Sequence, residues 1–151
     1  METSGQNYKY VEWKSAEKIN FSSIQWISEL NFMKDEHQFL AEMLTEYTLP
    51  IIESYLLSKV KNLIDRLTKY KEKTETLLNK IIEHRKGLLV MVDGINQLEE
   101  EKRYKKEHGE LLIDINQLTR EYNDLKNEIF VTITQALKQQ KQKQFFKYQL
   151  D

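Results

Sequence analysis

The chain has 151 residues, 23 basic and 24 acidic side chains, and no cysteine, which excludes disulfides, thiolate metal sites and cysteine nucleophiles. Four glycines, one proline and 31% charged residues argue against a strand fold with its frequent turns and for long helices. The polar start, Met1 to Tyr10, lacks the apolar stretch of a signal peptide, and there is no run of about 18 apolar residues, so a cytoplasmic protein with no membrane span is expected.

In chain order, residues 1–21 form an N-terminal extension and a helical bundle domain occupies 22–142. Phe21-Ser22-Ser23-Ile24-Gln25-Trp26 reads as a helix start. Ser22 caps, Gln25 completes a capping box, and Phe21 with Trp26 take the staple positions. The first helix then lines up Ile27, Leu30, Met33, His37, Leu40, Leu44 and Tyr47 on one face. It should end near Thr48, because Pro50 disfavours helical geometry at Leu49 and suits the first turn of the next helix. Beside that face, Trp26, Phe32, Phe39 and Met43 form a second apolar stripe, read either as extra burial or as an interface.

From Leu56 a heptad register runs unbroken to Leu98 through Val60, Leu63, Leu67, Tyr70, Thr74, Leu77, Ile81, His84, Leu88, Met91 and Ile95. Such a stripe is buried against partner helices. Its weakest stretch is Lys69 to Thr76, where the helix either passes straight through or turns near Thr74; the continuous register favours passage. Asp93-Gly94-Ile95-Asn96 is the best internal turn signal, followed by Glu99, Glu100 and Glu101 where the next helix dipole favours negative charge. His108-Gly109 is a weaker rival. The last helix carries His108, Leu111, Ile115, Leu118, Tyr122, Leu125, Ile129, Thr132 and Ala136. Beyond Leu137 the sequence turns basic and rich in glutamine, and 143–151 reads as a basic, aromatic tail expected to fray.

Charge alternates along this plan. Residues 1–50 carry four basic and eight acidic groups, 51–90 nine and five, 91–130 six and ten, and 131–151 four and one. Antiparallel neighbours would then face opposite sign, which suits intramolecular or homomeric packing. The fold class expected is all-α, an antiparallel helical bundle or coiled coil of three or four long helices.

All three histidines fall in core slots, and each follows a glutamate: Glu36-His37, Glu83-His84 and Glu107-His108. If the chain also turned near Thr74, the three imidazoles would lie within roughly 5 Å of one level in a four-helix bundle. His37, His84 and His108 are therefore candidate ligands of a transition metal ion. The local pattern opposes this. Di-iron bundles use Glu-x-x-His, whereas Lys34, Ile81 and Lys105 stand three residues before the histidines, and Ala41, Leu88 and Leu112 four after. Any similarity to hemerythrin-type bundles is thus one of size and general architecture. The alternative is a structural role, in which His84 is expected to be the most buried of the three and His84→Leu neutral or stabilising.

No phosphate loop, nucleophile elbow or His-Glu-x-x-His helix is present. Lys59, Lys61, Arg66, Lys69, Lys71 and Lys73 are faced by acidic segments, so nucleic acid is a disfavoured partner. Only the tail, where Phe145, Phe146 and Tyr148 interleave with lysines, offers a docking segment for RNA, an anionic membrane or a partner groove. Trp-Lys-Ser-Ala-Glu at 13–17, Trp-Ile-Ser-Glu-Leu-Asn-Phe at 26–32 and Tyr-Lys-Lys-Glu-His at 104–108 resemble small all-helical proteins of Bacteroidetes-type bacteria. That resemblance implies a helical bundle and a bacterial cytosol, and it carries no activity, ligand or site. The functional expectation is a non-enzymatic protein that acts by self-association, as a homo-oligomer, or by contacts with another protein through helix faces. The alternative is a metal-binding bundle with the three-histidine layer.

Overall fold

A computed structural model describes residues 16–92 and 98–150. Among them there is no strand, and the fold is an all-α helical bundle. Four helices follow one another: α1 (Ala16–Glu46), α2 (Thr48–Glu53), α3 (Leu57–Val92) and α4 (Leu98–Leu150). The chain divides into two units, Met1–Lys34 with Lys73–Thr119, and Asp35–Glu72 with Arg120–Asp151. The long helices α1, α3 and α4 each supply a segment to both.

The heptad register holds. Of its slots from Leu56 to Leu88, all are buried except Leu56 and Tyr70, which are half-buried. On α1 the expected face is buried from Leu30 to Leu44. In unit 1, α1 and α3 run antiparallel, since Asn20 meets Arg85 and Met33 meets Thr74. In unit 2, α3 and α4 are antiparallel too: Tyr70 meets Glu121, and Arg66 pairs with Glu128.

Thr74 explains why no turn is needed in the weak stretch. Its side chain is buried and its hydroxyl donates to the Met33 sulfur at 3.5 Å, so a polar residue sits in a core slot with its hydrogen bond satisfied. The helix passes straight through, and three long helices result.

Three local expectations are corrected. The first helix begins by Ala16, and Ser22 and Ser23 lie inside it, their hydroxyls donating to the Lys18 and Ile19 carbonyls instead of capping. The helix expected from Pro50 onward is interrupted after Glu53, where the Ser54 hydroxyl donates to the Ile51 carbonyl and accepts from the Leu56 amide. That local bonding gives the backbone an alternative to the next helical turn. Finally, the tail expected to fray continues α4 to Leu150, and His108-Gly109 is interior helix. The turn signal Asp93–Asn96 lies outside the described residues, as do Tyr8, Tyr10, Trp13 and the side chains of Met91 and Leu98.

Candidate functional site

The core of unit 1 holds the only histidine pair among the described residues. His84 on α3 and His108 on α4 are buried, and His84 Nε2 lies 3.0 Å from His108 Nδ1. On its other side, His84 Nδ1 lies 3.2 Å from Glu107 Oε1. A carboxylate only accepts, so His84 donates its Nδ1 proton to Glu107, and its Nε2 lone pair is left to accept the Nδ1 proton of His108. One chain of bonds therefore fixes both tautomers. Burial pushes the His84 pKa down from its ordinary 6.5, while Glu107 pulls it the other way. With burial dominant the ring is neutral, and its contact with Glu107 is a hydrogen bond rather than an ion pair.

Aromatic rings clamp the pair. Tyr104 stacks on His84 at 4.0 Å between centroids and 3° between planes, and Trp26 of α1 stacks on His108 at 4.4 Å and 19°. Ile19, Leu88 and Tyr104 pack together beside them. Burial raises the Tyr104 pKa, and its buried hydroxyl meets no hydrogen-bond partner among the described residues. Glu107 itself is exposed and opens on a groove of about 680 Å³, lined with Glu83, Glu110, Asp114 and Lys80 among others.

The third histidine is placed differently. His37 belongs to unit 2, where it meets the Tyr122 ring edge-on, with centroids 4.7 Å apart and planes at 89°. Tyr122 donates its hydroxyl to Glu36 Oε1 at 2.6 Å, and Lys126 donates to the same oxygen at 3.1 Å. Burial, then the bond to Glu36, raises the Tyr122 pKa. His37 also lines a cavity of about 370 Å³ with Ala41, Leu44, Ile64, Leu67, Thr68 and Lys71, among others.

Of the three candidate ligands, then, the structure joins His84 to His108 and sets His37 in the other unit against Tyr122. Among the described residues no group of three or more His, Cys, Asp or Glu side chains could hold a metal ion. His108, at 0% exposure, is the most buried, ahead of His37 at 2% and His84 at 3%. The expected layer of three imidazoles required a turn near Thr74; with α3 continuous from Leu57 to Val92, only His84 and His108 meet. The aromatic clamp was not visible. The second stripe, read either as extra burial or as an interface, is split by the structure: Trp26 is core, while Phe32 and Phe39 are exposed. Compared with protein families, with curated proteins and with solved structures, the chain matches none.

Proposed function

We propose that the chain is a non-enzymatic, cytoplasmic helical-bundle protein that works by self-association, laying the outer face of α1 against a second copy. The observation that carries this reading is the exposure of Phe21 and Phe32, 68% and 67%, on a helix whose opposite face is core. Eleven residues make about three turns, so the two rings lie within roughly 20° of one line, with exposed Ile24 on the adjacent turn. Phe39, also exposed, follows Phe32 at seven residues, about two turns further along the helix. Aromatic side chains are enriched where interfaces bury surface, and each phenyl ring removed from water stabilises an assembly by roughly 2 kcal/mol. A two-fold arrangement would let one stripe serve as both halves of the interface.

The histidines support the same reading. The groups best suited to acid–base chemistry, His84 and His108, are sealed between aromatic rings, where they specify packing instead of facing a substrate. Size-exclusion chromatography with light scattering tests the proposal. A dimer that Phe21→Ser/Phe32→Ser converts to a monomer of 18.2 kDa is the expected result. A wild type that stays monomeric at high concentration overturns it.

A further inference from the structure

Unit 2 carries another set of exposed apolar groups, at α2 and the last turns of α4. Lys143 Nζ donates to the Glu53 carbonyl and lies 5.8 Å from the Tyr55 ring centroid, so these two segments meet. Around that contact Leu49, Ile52 and Tyr55 on one side, and Phe145, Phe146 and Tyr148 on the other, are each more than half exposed. Every residue from 141 to 148 is exposed. On the α4 side the charge has one sign: after Glu128 come Lys138, Lys141, Lys143 and Lys147, with no acidic residue before Asp151, and against these four lysines α2 sets one exposed carboxylate, Glu53.

We propose that this end of unit 2 docks on an anionic membrane surface. Phe145, Phe146 and Tyr148, with Leu49 and Ile52, seat at the boundary of headgroups and acyl chains. Lys138, Lys141 and Lys147 reach the lipid phosphates. The attachment is peripheral, since no helix among the described residues is long and apolar enough to cross a membrane.

The arrangement of the side chains favours lipid over the other anionic or apolar partners. Phe145 and Phe146 are neighbours about 100° apart around the helix, their rings 6.2 Å apart at 73° between planes. They do not make one flat stripe. A folded partner needs a single complementary face, whereas a fluid interface accepts side chains that project in several directions. RNA would use lysines and aromatic rings but has no use for Leu49 and Ile52, which offer no π-face for bases to stack on. A mixed set of aliphatic tips, aromatic tips and lysines is what an anionic bilayer surface rewards.

The test is flotation of the full chain with vesicles of phosphatidylcholine alone or mixed with phosphatidylglycerol, at low and high salt. Binding is expected only to the mixed vesicles, falling with salt, and dropping roughly fivefold for each of Lys141→Gln and Lys147→Gln. Phe145→Ser/Phe146→Ser should lose binding while keeping the helical circular dichroism of wild type, because both rings are exposed. The chain has no cysteine, so Phe146→Cys takes a single polarity-sensitive dye whose emission should shift to the blue on the mixed vesicles. No binding to either vesicle, or capture of a polyuridylate strand in place of vesicles, overturns the proposal. Undiminished binding by Phe145→Ser/Phe146→Ser overturns it as well, since lysine adsorption alone would then explain the result. None of these readouts depends on the oligomeric state proposed for α1.

Discussion

Each unit buries a histidine beside a tyrosine of α4, and the two solve the problem of a polar ring in an apolar core by different means. In unit 1, His84 lies flat on Tyr104 and passes its polarity along a chain of bonds, to His108 on one side and to exposed Glu107 on the other. In unit 2, His37 takes the edge of Tyr122, and the tyrosine hydroxyl carries the polar link outward to Glu36 and Lys126. The first core makes the imidazole a member of a network. The second sets the imidazole edge-on against a tyrosine whose own hydroxyl bonds onward to a carboxylate. A buried histidine therefore says little by itself; its neighbours decide whether removing it strips partners of their bonds.

The largest effect is expected of His84→Leu. Before its neighbours are known, leucine in a heptad slot looks harmless, but here it deprives His108 Nδ1 of the bond it makes to His84. A loss of about 2 kcal/mol in chemical denaturation is expected, and adding His108→Leu should bring stability back to within about 1 kcal/mol of wild type. If the single variant is as stable as wild type, the pair is not a network. Next come the two tyrosines. Tyr122→Phe removes a bond to a carboxylate and should cost about 1.5 kcal/mol. Tyr104→Phe should cost nothing measurable in the same assay, and an equal loss in both would erase the distinction between the units.

Acid supplies a smaller effect, because Glu107 offsets part of the burial at His84. A base whose folded pKa is lowered binds fewer protons folded than unfolded between the two pKa values. Stability is therefore complete above the unfolded value of 6.5 and falls as pH drops through 6.5 toward the lowered folded value. Thermal melts across that window should show this slope in wild type and lose it in His84→Leu/His108→Leu. The smallest change is Gly87→Ala, one turn from His84 on α3. A Cβ there would meet Tyr104 Cε2 at an ordinary 3.7 Å, so the gain in helix propensity should appear as about 0.5 kcal/mol of added stability. A loss instead would mean that Tyr104 cannot stay stacked on His84 beside an added methyl group.

The long-range plan of the molecule was legible because it rests on periodicity. Val60, Leu63, Leu67, Leu77 and Ile81 are all core, as a heptad stripe requires. The same counting set all three histidines at one level only if the chain turned near Thr74, so the meeting of His84 and His108 alone was not foreseen. What escaped the sequence was decided by local competition or by neighbours remote in the chain. Ser22 and Ser23 have the chemistry of caps, yet helix interior is equally open to them once their hydroxyls turn back to carbonyls one turn earlier. Ser54 looked unremarkable between Glu53 and Tyr55, but a hydroxyl bonded on both sides ends α2. Placing Trp26 on His108 requires knowing how α1 is rotated against α4, which one helix's pattern does not contain.

The spacing of contacts along the chain also bears on the order in which the molecule assembles. His84 and His108 are 24 residues apart, Arg66 and Glu128 are 62 apart, and Glu36 and Tyr122 are 86 apart. Because the entropy of closing a loop grows with the logarithm of its length, the first of these closures costs about 1 kcal/mol less than the last. The hairpin of α3 and α4 around the histidine pair is thus the cheapest place to start, and it presents α1 with a surface on which to fold. A nucleus built on this hairpin predicts that substitutions at the imidazole pair slow refolding more than they speed unfolding, which stopped-flow folding and unfolding rates of His84→Leu would check.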